Sequence, residues 1–260
     1  MTISTAPFFE EYARHRAKEG RALTGDELRS LPYLRSGPLA RQWTVRARTF
    51  DAFMEHVVKP RATKRPLDIL DLGAGNGWLS CRVARMGHRA VALDVRDDDV
   101  DGLGAAAQLL SEARFERVHA SFDDLPFGER RFDIALFNAS LHYAHDLRTV
   151  LVEAARVTRP GGVLAILDSP FYARDEDGEA MVVEKRARGA DVFGARADIL
   201  LAQGFIEYLT RARLSAALPA LSWSRHRVRY PLWYELRPLL ARMKGKRRPS
   251  RFDLWTARAP

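Results

Sequence analysis

The chain has 260 residues, enough for one sizeable α/β domain with an appendage. Its 47% hydrophobic and 29% charged residues exclude wholesale disorder, and no run approaches eighteen apolar residues, which excludes a membrane-spanning helix. Cys81 is the only cysteine, so an internal disulfide framework and a cysteine-built zinc site are excluded.

The net charge of +9 is unevenly placed: residues 211–258 hold thirteen Arg and Lys against Glu235 and Asp253, a local excess of +11 that leaves −2 elsewhere. Such a patch suits polyanions (nucleic acid, anionic lipid head groups or phosphorylated substrates), or is a solvated surface. The N-terminus, MTISTAPFFEEYARHR, lacks a basic start followed by an apolar run and does not read as a secretory signal. These features predict a cytoplasmic protein, with peripheral membrane contact as an option.

In chain order, residues 1–60 predict a helical cap. Phe8, Phe9 and Tyr12 begin a short amphipathic stretch, and Thr24 with Glu27 has the spacing of a capping box. After Gly37-Pro38, the residues Leu39, Trp43, Phe50, Phe53, Met54, Val57 and Val58 form one apolar helical stripe. From residue 61 short apolar runs alternate with helical segments. Strands are predicted over 67–72, 89–95, 115–121, 132–137 and 162–168, with helices over 76–86, 98–113 and 146–158 and a turn at Pro160-Gly161-Gly162. This alternation predicts parallel βαβ units in a doubly wound α/β sheet, covered on both faces. Beyond 170, helices are expected over 181–190 and 195–204. Residues 205–214 and 251–258 are expected to form an antiparallel strand pair. The domain plan is therefore a cap (1–60), a core (61–214), a basic insertion (215–250) and a last core strand (251–260).

The chemistry concentrates where the first strand meets the first helix. Asp71-Leu-Gly-Ala-Gly-Asn-Gly places Gly73, Ala74, Gly75, Asn76 and Gly77 in a turn that lets backbone approach a ligand. In a doubly wound sheet that turn lies at the carboxyl ends of the strands, where ligands bind. The dinucleotide fingerprint is GxGxxG, but here the third glycine comes one residue early and Trp78 takes its place, which argues against NAD and FAD. Asp94, with Val95 after it, ends the second strand about twenty residues on, where an acid can bind ribose hydroxyls.

At this point LDLGAGNG, ALDV, DDLPFGERRFDIAL, LHYAHD and VTRPGGVLAI, spread over roughly 67–168, resemble the class I S-adenosylmethionine-dependent methyltransferases, especially the ubiquinone and menaquinone biosynthesis branch. The resemblance implies a seven-stranded mixed, Rossmann-like sheet of order 3-2-1-4-5-7-6 with the last strand antiparallel. It implies S-adenosylmethionine as cofactor, S-adenosylhomocysteine as product, and a small-molecule or lipid-like acceptor methylated on oxygen, nitrogen or carbon. Asp71 and the glycines would border the methionine part, Asp94 the ribose, and Asn138 the sulfonium region. For the adenine, Ser121 with Phe122 packed on the ring fits one register, and Asp123 fits a shifted one. Tyr33, Trp43, Arg46 and Arg48 are candidate lid and acceptor residues, with a core role for Trp43 and solvated arginines as the plain alternatives. His142 and Tyr143 follow the fourth strand. His142 suits a general base or a packing role, while Asp146 suits the start of a helix. His142, His145 and Asp146 have no carboxylate cluster to join them, so no metal site is expected. RNA methylation through the basic segment, and cofactor binding without transfer, are the competing readings.

Overall fold

The computed structural model describes residues 6–260. Three helices come first: α1 (Ala6–Lys18), α2 (Gly25–Ser30) and α3 (Ala40–Phe53), the last prolonged by a wider turn over Met54–Val58. A sheet of seven strands follows: β1 (Asp68–Leu72), β2 (Arg89–Asp94), β3 (Glu116–His119), β4 (Phe132–Asn138), β5 (Thr158–Leu167), β6 (Ser224–His226) and β7 (Leu254–Arg258). Its order is β3-β2-β1-β4-β5-β7-β6. The first five strands are parallel, and β7 runs antiparallel to both β5 and β6.

Period-two alternation explains why both faces are covered. Ile69, Ile134, Val163 and Ala165 face a core shared with Phe50, Phe53 and Val57 of the cap and with Leu79 and Val83 of α4 (Trp78–Arg85). Leu70, Leu72, Ala135, Phe137, Leu164 and Ile166 face the other way, onto Val150, Leu151 and Ala154 of α6 (Leu147–Val157). Between these helices lies the one-turn α5 (Leu103–Ala106). Asp146 caps α6, accepting the Thr149 N–H at 2.6 Å. The remaining helices are α7 (Asp175–Ala187), α8 (Gly189–Phe193), α9 (Ala197–Leu201), α10 (Arg211–Ala217), α11 (Leu232–Glu235) and α12 (Arg237–Met243). Among the described residues no helix is long and apolar enough to cross a membrane.

Four expectations need correction. The helix expected over 98–113 shrinks to α5 and one tighter turn, because the Asp98 carboxylate accepts the N–H groups of Val100 and Asp101 and holds the preceding residues in a loop. The turn at Pro160-Gly161-Gly162 is an irregularity inside β5, where the pairing jumps from Phe132–Thr158 to Ile134–Val163. Residues 205–214 are not a strand. Glu207 has φ of 68°, and Thr210 accepts the Arg213 N–H at 3.1 Å to start α10. The sixth strand comes instead from 224–226, inside the segment set apart as an insertion. Finally, Thr24 precedes α2 but its side chain makes no cap, so the capping box is not formed.

Candidate active site

The carboxyl ends of β1, β2, β4 and β5 converge under α1 and α3, around a cavity of about 600 Å³. Its floor is the turn after β1. Gly73, Gly75 and Gly77 have φ of 73°, 54° and 69°, a region costly for any side chain. A Cβ at Gly75 would lie 3.0 Å from the Asp101 carbonyl, and one at Gly73 would strike Ser140. Asp94 fastens this turn: one carboxylate oxygen accepts the Gly75 N–H at 2.7 Å and the other the Arg96 N–H at 2.9 Å. Each oxygen keeps a further lone pair for a ligand hydroxyl. Burial raises the Asp94 pKa against those two bonds.

Most residues singled out in the sequence meet here: Gly73, Ala74, Gly75, Asn76, Asp94, Val95, Ser121, Phe122, Asp123, Asn138, His142, Tyr143, Trp43 and Arg46 all line the cavity. Four do not. Asp71 is buried behind the turn, where it accepts the Ser80 hydroxyl at 3.0 Å; burial, aided by Asp94, pushes its carboxyl up to about 7. Gly77 packs toward Ala106 and Phe115. Tyr33 donates to Asp51 at 2.7 Å and is 42% exposed, and Arg48 is exposed on α3.

The cavity roof was not legible as a site. Tyr12 on α1 shares a hydrogen bond with Tyr143 at 2.8 Å, and Arg16 pairs with Asp101 at 2.6 Å. Asp101 also accepts the Asn76 amide at 3.0 Å, so α1 is clasped to the glycine turn. Phe8 and Tyr143 both pack edge-on against Phe205. The sequence signal was present in the aromatic cluster Phe8, Phe9 and Tyr12, but nothing local says what such a face covers.

The far wall carries the titratable groups. Asp168, at the end of β5 with φ of 53°, faces Arg46 at 3.4 Å. Burial pushes its carboxyl up to about 6, while Arg46 draws it back. His142 lies 3.4 Å from the Ser169 hydroxyl, and burial, with Lys185 and Arg46 beyond, depresses its imidazole to about 3. Among the described residues, buried polar atoms of this cavity without a hydrogen-bond partner include Trp43 Nε1, Asp123 Oδ1, Asn138 Oδ1 and Asp168 Oδ1. Orphan groups converging on one cavity mark a ligand site.

Known proteins share this frame. Residues 70–166 match the family model described as a methyltransferase domain. The chain is 31% identical over 118 residues to an uncharacterized methyltransferase of Mycobacterium tuberculosis, covering 45% of this chain and 56% of that protein. It is 35% identical over 111 residues to a demethylmenaquinone methyltransferase of Clavibacter sepedonicus, covering 43% of each. The matched segment thus spans about half the length of these curated relatives. The solved structure of geranyl diphosphate C-methyltransferase from Streptomyces coelicolor, in complex with magnesium, geranyl diphosphate and S-adenosylhomocysteine, has a TM-score of 0.62 over 98% of this chain and 99% of that one. At 14% identity that likeness concerns the fold. Residues 70–166 thus match a methyltransferase domain, and the chain resembles the menaquinone branch of the class I S-adenosylmethionine-dependent methyltransferases.

Proposed function

We propose that the chain transfers a methyl group from S-adenosylmethionine to a small, largely apolar acceptor. The carrying observation is the single cavity whose one wall is the glycine turn with Asp94 and whose other is a cage of Phe8, Tyr12, Tyr143 and Phe205 beside two titratable groups. The residues fit the cofactor. Gly73 and Gly75, at positive φ, bring bare backbone to the cavity where a side chain would collide with Ser140 or the Asp101 carbonyl, and Asp94 presents free lone pairs. The orphan oxygens of Asp123 and Asn138 suit an adenine amino group and the polar methionine end. When bound, the cofactor supplies an electrophilic methyl group on a sulfonium centre.

The chain's residues then orient and exclude water. The Tyr12–Tyr143 and Arg16–Asp101 contacts close α1 over the cavity and hold the acceptor near its partner, where proximity supplies much of the acceleration. Where the acceptor must lose a proton, Asp168 is the better placed group: its carboxyl titrates near 6 and one oxygen is unpartnered. His142, neutral at pH 7, accepts a hydrogen bond and positions the acceptor. In this reading residues 6–60 are the cap over cofactor and acceptor, and the exposed cations of 211–258 touch an anionic membrane or another polyanion. RNA is the weaker acceptor choice, since Arg225, Arg247 and Arg251 are paired internally with Asp253, Glu184 and Glu235.

The test is turnover to S-adenosylhomocysteine over a panel of acceptors, together with calorimetry of cofactor binding. Asp94→Ala is expected to weaken binding by about 1.5–3 kcal/mol, the loss of hydrogen bonds made by a charged group. Tighter binding of NAD than of S-adenosylmethionine would overturn the reading. Cofactor binding without turnover on any acceptor would leave a sensor rather than an enzyme.

A further inference from the structure

Beside the cavity lies a second surface that its chemistry does not use. Leu232, Leu236, Leu239, Leu240 and Met243 are 73%, 39%, 54%, 49% and 75% exposed. They belong to α11 and α12, which run as nearly one helix. Leu236 joins them in helical conformation, donating to the Leu232 carbonyl at 2.9 Å and accepting from the Leu240 N–H at 3.0 Å. At 3.6 residues per turn the five side chains fall within an arc of about 100°. The opposite face is anchored. Tyr234 is buried and its hydroxyl accepts the Phe252 N–H at 2.9 Å. At the margin of the arc, Trp233 packs against the core cluster that holds Trp43 and carries the Arg41 guanidinium over its ring at 4.3 Å.

Cations flank the apolar arc. By helical spacing Arg242 lies on one side of it, and Arg237 and Lys244 on the other, with Lys246 and Arg248 following. Arg242, Lys244, Lys246 and Arg248 are exposed, and none makes an ion pair among the described residues. An exposed apolar stripe with basic margins is the pattern of a helix that lies in a membrane interface.

We propose that the face formed by Leu232, Leu236, Leu239, Leu240 and Met243 docks the chain onto an anionic lipid bilayer, with Arg242, Lys244, Lys246 and Arg248 meeting the headgroups. Charge selects this occupant. A second copy of the chain would bring like charges together at the rim of the contact, whereas anionic headgroups neutralise them. The docking rests on the anionic contact proposed above and is independent of methyl transfer. It also has a consequence for the acceptor: the helix is braced on Phe252, a residue of the cavity wall, and on α3, which carries Trp43 and Arg46. Membrane binding therefore brings the cavity close to a pool of lipid-dissolved acceptors.

Co-sedimentation with vesicles of mixed phosphatidylglycerol and phosphatidylcholine, against phosphatidylcholine alone, tests the proposal with the full chain. The wild type is expected to pellet with the anionic vesicles only. The triple variant Leu239→Ser, Leu240→Ser, Met243→Ser is expected to lose about tenfold or more in vesicle affinity, since buried apolar area drives the insertion. The double variant Lys244→Glu, Lys246→Glu is expected to lose binding steeply at low salt. All three positions of the triple variant are exposed, so its melting temperature and its stabilisation by S-adenosylhomocysteine should match the wild type. The proposal is overturned if the wild type ignores anionic vesicles, or if the triple variant binds them as the wild type does. It is also overturned if sedimentation shows a wild-type dimer that the triple variant dissociates while neither binds vesicles. A wild type that binds vesicles yet gains no stability from S-adenosylhomocysteine upholds the docking and counts against the methyl-transfer reading.

Discussion

The two walls of the cavity are built in different ways. The wall proposed for the cofactor is made by backbone: Gly73 and Gly75 with positive φ, and Asp94 accepting two main-chain N–H groups. The wall proposed for the acceptor is made by side chains from segments remote in sequence, namely α1, α3, the end of β5 and the loop at Phe205. A backbone-built wall tolerates change only where no Cβ is added, whereas a side-chain wall can be retuned residue by residue. One scaffold can thus keep its cofactor while its acceptor varies.

The sharpest way to break the cofactor wall is Gly75→Val. At φ of 54° a β-branched residue is strained, and its Cβ would crowd the Asp101 carbonyl. We expect cofactor affinity to fall about a hundredfold or more, read by calorimetry, with the far-ultraviolet circular dichroism unchanged. Normal binding in this variant would show that the turn does not meet the cofactor.

On the acceptor wall, Asp168→Asn and His142→Ala separate proton transfer from positioning. For an acceptor that loses a proton, Asp168→Asn should cut turnover by about a hundredfold and abolish an acid limb near or below pH 6. His142→Ala should raise the acceptor KM more than it lowers kcat; the reverse pattern would return the base role to His142. Asp168 also makes a stability prediction. Its folded pKa of about 6 exceeds the unfolded value, so the stability it contributes is full below about pH 4 and lost as pH rises through 6. Denaturation of wild type and Asp168→Asn across pH 4–7 should therefore show the variant gaining on the wild type by on the order of 2–3 kcal/mol.

A smaller effect is expected at the clasp between the walls. Arg16→Met removes the pair with Asp101 and loosens α1, and should weaken cofactor and acceptor together by about tenfold, a loss typical of a partly buried charged hydrogen bond. The smallest belongs to Tyr33→Phe. Its hydroxyl meets Asp51 away from the cavity, so turnover within about threefold of wild type is expected, as for surface changes generally. A larger loss would place Tyr33 in the acceptor site.

What the sequence determined by itself was the parallel part of the sheet and the glycine turn that Asp94 fastens. Strand runs such as Ile134–Phe137 are apolar throughout because both faces are covered, and this is visible in a window of four residues. The glycine turn and Asp94 are legible because backbone conformation and a strand end restrict residue type locally. Only the tertiary structure decided the sixth strand, the roof and the acceptor wall. Residues 205–214 alternate like a strand, yet Thr210 caps a helix, and the three-residue β6 is too short for any periodicity to announce. The Tyr12–Tyr143 and Arg16–Asp101 contacts join residues 131 and 85 positions apart. Burial pushes the Asp168 carboxyl up to about 6 against the pull of Arg46, and only the fold brings about either. Burial and long-range pairing set these properties, and neither is a local property of the chain.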